Sequence, residues 1–165
     1  MAVRPFVPWP DARLRTACAD VGEISDEVRA IWDDMIDTME AMPGLGLAAP
    51  QIGVMQRLAV VDASEERGRA VRMANPEVIE ASEELYAHPE GSPNLPGVSA
   101  QLKRPAKVIV AFTDHTGMRV RQTFEKVWAT SVQHQIDHLA GRMYFDRLSR
   151  TRRAMVLKKA GKVAR

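Results

Sequence analysis

The stretch from Lys126 to Gly141, KVWATSVQHQIDHLAG, constrains this chain more than any other. Trp128, Val132, Ile136 and Leu139 recur at helical spacing, and Gly141 stands where the left-handed residue that closes a helix belongs. His134 and His138 then lie one turn apart on one face. Two neutral imidazoles so placed can share one divalent metal, although a lone pair at this spacing is more often incidental. In metal-binding helices of the H-E-x-x-H type the residue after the first histidine is a glutamate base. Here it is Gln135.

Around this helix the pattern alternates between the two periods. Ile24, Val28, Ile31, Trp32, Met35, Ile36 and Met39 predict a helix that starts at Ser25-Asp26-Glu27 and ends before Pro43-Gly44. RLAVVD (57–62) and KVIVAF (107–112) read as strands. The second is followed by the turn Asp114-His115-Thr116-Gly117, with His115 facing solvent, and by an alternating run from Met118 to Phe124 that completes a hairpin. A last amphipathic helix is expected from about Ser149 to Lys162, packing through Met155, Val156, Leu157 and Val163. Short antiparallel strands between an N-terminal and two C-terminal helices predict an α+β fold. A chain of 165 residues makes this one domain, 1–165.

Composition excludes several classes. No apolar run reaches membrane-spanning length, and the first residues, MAVRPFVPWPDARLR, lack the apolar core of a signal peptide. Cys18 is the single cysteine, so a reducing cytoplasm is the expected compartment. The net charge of +2 conceals an asymmetry. Arg147, Arg150, Arg152, Arg153, Lys158, Lys159, Lys162 and Arg165 give the C-terminal segment eight positive charges and no negative one, leaving 2 − 8 = −6 on the rest. Such a tail is either a polyanion contact or a solvated helix face.

Two further stretches stand out. GLGLAAPQ (44–51) is built of small residues that let a backbone approach another chain closely, such as an extended peptide, but alone it reads as a tight helix-to-strand connection. PEGSPNLPG (89–97) alone reads as a loop. Taken with QHQIDHLAG, in this order and spacing, they resemble the three motifs of peptide deformylases: G-φ-G-φ-A-A-x-Q, E-G-C-L-S-φ-P and Q-H-E-φ-D-H-φ-x-G. WPDARLR (9–15) and YFDRLS (144–149) also look like family stretches, so the resemblance spans nearly the whole chain.

The resemblance implies a fold and a chemistry: removal of the formyl group from N-formylmethionine on nascent chains. The catalyst in that family is zinc or ferrous iron held by one Cys and two His. It places the histidine ligands on His134 and His138, the thiolate on Ser92 and the general base on Gln135. The oxyanion donors fall on the Gln51 amide and on the backbone of Pro93. Leu45, Gly46 and Pro93 fall on the peptide-binding edge, and Thr130, Ser131 and His88 on walls of the methionine pocket that are usually apolar.

Three of these positions depart from the pattern. A serine hydroxyl is neutral at pH 7 and a weak ligand for zinc or iron. Glutamine cannot shuttle a proton, a role worth about 10²–10⁴ in rate. Proline has no N–H to donate, and one oxyanion donor is worth about 10²–10³ in turnover. The expectation is a deformylase-like protein with lost or strongly reduced activity, holding a divalent metal weakly or not at all. A second expectation is a working metallohydrolase whose third ligand is His88. A third is a ribosome-associated module acting through the basic helix 149–165, the region by which the family contacts the ribosome. The expected partner is a peptide N-terminus or nascent chain, with no membrane and no DNA.

Overall fold

The computed structural model describes residues 2–163. Five strands form an antiparallel sheet: β1 (Gly46–Ala48), β2 (Leu58–Val61), β3 (Val71–Ala81), β6 (Lys107–Thr113) and β7 (Arg119–Glu125), in the spatial order β1-β2-β3-β6-β7. A separate hairpin pairs β4 (Leu85–Ser92) with β5 (Leu95–Pro105). Three helices pack on these strands: α1 (Asp26–Ala41), α2 (Val127–Leu139) and α3 (Arg150–Val163). The α+β reading holds.

The apolar run of β2 is continuous because the sheet is covered on both faces here. Leu47, Leu58 and Val60 pack with Val28, Trp32, Met35 and Met39 of α1. Their neighbours Ala48 and Ala59 pack against Leu139 of α2, and Val61 joins Ala129 and Val132. The alternation is the strand period itself. Trp32, Met35 and Met39 are fully enclosed, each burial contributing roughly 1.5–3 kcal/mol. Ser25 caps α1, its hydroxyl accepting from the Val28 N–H at 3.2 Å.

The hairpin β6–β7 forms as expected. Asp114 Oδ1 closes its turn by accepting from the Thr116 and Met118 amides, and His115 is exposed. Along β7 the alternation is weaker than the sequence suggests: only Phe124 is fully buried, and Met118 before it is 64% exposed.

Four strands, β1, β3, β4 and β5, were not legible in the sequence. β3 is broken by a register shift between Ala74 and Glu77, where Asn75 takes φ 51° and Pro76 offers no amide to the ladder. The Asn75 side chain pins the N-terminal segment, accepting from the Val21 amide and donating to the Val21 carbonyl. PEGSPNLPG is not a loop. It is the closed end of the β4–β5 hairpin, with Ser92 opposite Leu95 and only Pro93-Asn94 between them.

The C-terminal helix docks on β5 through Val156 and Ala160, with Leu157 half-buried. Met155 and Val163, expected to pack, are 65% and 52% exposed. Part of the positive charge of the C-terminal segment from Arg147 onward is already neutralised. Arg147 pairs with Asp137 and Arg153 with Asp146, while Arg165 lies outside the described residues.

Candidate functional site

α2 crosses the small-residue strand β1, and this crossing positions the site. Gly46 is required here. A Cβ at this position would meet Gln135 Nε2 and Ser131 Oγ at 2.6 Å and the Val60 carbonyl at 3.0 Å. The helix ends at Gly141, whose φ of 78° and close approach to the Arg15 backbone admit no side chain.

His134 and His138 face each other across one turn, Nε2 to Nε2 at 3.0 Å. Glu90, at the end of β4, fixes the first ring: its carboxylate lies 2.8 Å from His134 Nδ1. Burial raises the Glu90 carboxyl, but hydrogen bonds from Arg104 and His134 outweigh it and hold the group at about 2. As an anion Glu90 only accepts, so the His134 proton sits on Nδ1 and the Nε2 lone pair turns inward. His138 is enclosed. Burial, then the neighbouring His134 and Arg104, push it well below 6.5, and its Nδ1 has no partner among the described residues.

Beneath the histidines runs a buried ion network. Arg104 on β5 forks onto Glu90 at 2.6 and 2.8 Å and reaches Asp137 at 3.0 Å. Asp137 also accepts Arg147 at 2.6 and 2.7 Å. The Tyr144 ring stacks on His134, centroids 6.1 Å apart.

Beside the histidines lies a cavity of about 170 Å³. Leu45, Gly46, Gln51, His88, Pro93, Thr130, Ser131, His134 and Gln135 all line it, whereas His138 and Ser92 are buried outside its lining. Ser92 lies just beneath the lining, and its hydroxyl is engaged elsewhere. It donates to Asn94 Oδ1 at 3.0 Å and is approached by Gln51 Nε2 at 3.5 Å. Gln51 Nε2 also donates to Asn94 Oδ1 at 2.9 Å, while its Oε1 accepts from the Ala48 amide at 2.8 Å.

The chain matches the polypeptide deformylase family over residues 3–154. It belongs to the peptide deformylase family. A "Peptide deformylase" of Methylocella silvestris is 41% identical, over 100% of this chain and 87% of its own length. A protein of Agrobacterium fabrum named "Peptide deformylase-like" is 40% identical over 96% of each chain. The peptide deformylase of Ehrlichia chaffeensis, solved in complex with actinonin, superposes with a TM-score of 0.92 at 32% identity, covering 100% and 99% of the two chains. Family members are metal-dependent and act on formylated N-termini of nascent chains.

A divalent ion fits this site at two corners. Imidazole nitrogens each about 2.0–2.1 Å from a tetrahedral ion stand about 3.3 Å apart, close to the His134–His138 spacing. Ser92, where the sequence resemblance puts the third ligand, offers a hydroxyl already hydrogen-bonded to Asn94. His88 lines the cavity with its Nδ1 2.8 Å from the Pro89 carbonyl. Among the described residues no three His, Cys, Asp or Glu side chains cluster as a metal site, so the expected His88–His134–His138 set is not assembled in this arrangement.

Sequence reasoning missed Glu90, Arg104, Asp137 and Asn94 as working parts. Glu90 and Asp137 carried a faint signal, being acidic residues inside the motifs. Arg104 carried none, since its partners lie 14 and 33 residues away.

Proposed function

We propose that this chain is a deformylase-family protein that keeps the groove for a peptide N-terminus and has lost, or nearly lost, the ordinary hydrolytic step. The observation that carries the reading is the state of Ser92 and Gln51, a weak ligand and an amide donor satisfied by each other and by Asn94. In family enzymes the metal supplies an activated water; in this chain the donor set falls one strong ligand short of holding that metal firmly. Gln135 can hold a substrate group by hydrogen bonding but can neither take nor return a proton. Pro93, at the hairpin tip, gives no amide to a developing oxyanion. What remains is binding: β1 offers its edge to an extended peptide, and the cavity receives the first side chain.

The test is metal analysis of protein purified without oxygen, coupled to turnover of a formyl-Met peptide. Substoichiometric metal and turnover at least about 10²-fold below that of an active relative are expected. Stoichiometric metal with family-like turnover sinks this reading and favours a rearranged metallohydrolase.

A further inference from the structure

We infer that the cavity beside His134 selects a neutral side chain ending in a primary carboxamide, with glutamine the best fit, over methionine or another apolar side chain. The inference rests on the peptide-binding reading above and names the ligand's chemistry.

The cavity wall contributed by α2 is polar where an apolar side chain would need the reverse. Thr130 and Gln135, each only 5% exposed, line it, and neither Thr130 Oγ1 nor Gln135 Oε1 has a hydrogen-bond partner among the described residues. Ser131 spends its proton on the Leu45 carbonyl at 2.9 Å, leaving the hydroxyl lone pairs as acceptors. A buried polar group left unpaired costs about 1–3 kcal/mol; Thr130 Oγ1 and Gln135 Oε1 already carry that cost, being out of reach of water, and an apolar occupant leaves it standing. The occupant that removes the cost brings donors for Gln135 Oε1 and Ser131 Oγ and an acceptor for the Thr130 hydroxyl. A primary carboxamide carries two N–H donors and one carbonyl acceptor. It also pairs with the Gln135 amide in either flip of that group.

Charge narrows the choice further. Among the described residues Glu90 is the only carboxylate lining the cavity, and it is saturated by Arg104 and His134, so the described lining holds no unpaired carboxylate for a Lys side chain and no Lys or Arg for an Asp. Size points the same way. About 170 Å³ takes one side chain rather than a larger ligand, and Gln is unbranched and nearly as long as Met.

The experiment titrates the full chain calorimetrically with three tripeptides: formyl-Gln-Ala-Ser, formyl-Met-Ala-Ser and formyl-norleucyl-Ala-Ser. The formyl group also keeps the glutamine from cyclising. The glutamine peptide is expected to bind at least about tenfold tighter than the norleucine peptide. Thr130→Val, which keeps shape and β-branching, should shrink that ratio by about fivefold or more. The ratio is read within one preparation, so partial misfolding does not mimic it, and Gln135→Met serves as a second variant if Thr130→Val fails to fold. Equal or tighter binding of the methionine and norleucine peptides overturns the inference while leaving peptide binding intact. If none of the three binds, the peptide-binding reading falls and takes the inference with it.

Discussion

Gln51 and Asn94 hold each other twice: the Gln51 side-chain amide donates to Asn94 Oδ1 at 2.9 Å, and Asn94 Nδ2 donates to the Gln51 carbonyl at 3.0 Å. Asn94 Nδ2 also donates to the Val7 carbonyl at 2.6 Å, and the Trp9 amide donates to the Asn94 carbonyl. One buried side chain therefore fastens the N-terminal segment to the site and occupies the Gln51 amide. Asn94→Ala should destabilise the fold by about 2–4 kcal/mol, because it strands several buried polar groups. A urea titration showing less than about 1 kcal/mol would remove Asn94 from this role.

Restoration of catalysis should be strongly non-additive. Ser92→Cys alone should raise zinc affinity with little gain in formyl-Met turnover, and Gln135→Glu alone should do almost nothing. Ser92→Cys, Pro93→Leu and Gln135→Glu together should give measurable deformylation. Adding Asn94→Ser should raise it further by releasing the Gln51 amide. A triple variant that binds zinc and stays inert shifts the blame to the polar cavity wall.

Arg104 is enclosed with Glu90 and Asp137, all three side chains 7% exposed or less. Replacing it by Met leaves two buried carboxylates short of their partner and should cost about 3–5 kcal/mol. Glu90→Gln added to Arg104→Met should recover part of the loss, the mark of a coupled pair. Chemical denaturation of both variants gives the answer, and a purely additive double mutant would contradict it.

The loop after β2 provides a pH dependence. Burial raises the Asp62 carboxyl, but hydrogen bonds from the Ser64 hydroxyl and the Arg69 and Ser64 amides, with the Arg67 charge, bring it below its ordinary 3.8. A carboxyl lowered on folding adds stability that is fully present above pH 3.8 and is lost as pH falls through its folded value. The loss should be felt at the cavity, since the Asp62 amide holds the Leu45 carbonyl at 2.9 Å and Arg67 holds the Gly44 carbonyl at 2.6 Å. Unfolding free energy measured from pH 5 downward should fall less steeply in Asp62→Asn than in wild type. Identical slopes would show that Asp62 carries none of the acid sensitivity.

The helices and the β6–β7 hairpin were legible because their signals are local. Ser25 caps α1 beside its own stripe, Gly141 ends α2, and Asp114 closes a turn within four residues. The motifs likewise carried His134, His138, Gln51, Ser92 and Gln135 to one place, since each sits at a fixed offset from a turn or helix end. Besides β1, only 3 residues long, β3, β4 and β5 stayed hidden. Their apolar alternation is interrupted by Asn75-Pro76 and by the polar run HPEGSPN, and they are strands because a partner supplies the ladder.

The sequence by itself therefore determined the family, the secondary structure set by helical period and capping, and the residue types at Ser92, Pro93 and Gln135. Those depend on what a residue type can do wherever it lies: serine is a weak ligand, proline has no N–H, and glutamine holds no acidic proton. Only the tertiary structure decided that Asn94 takes the Gln51 amide, that Arg104 joins Glu90 to Asp137, and that Thr130 and Gln135 line one cavity with side-chain oxygens unpartnered among the described residues. The physical reason is range. Capping and periodicity act within a turn or two of the chain, whereas hydrogen bonds and ion pairs between residues 14 to 87 positions apart exist only once packing brings their strands and helix together.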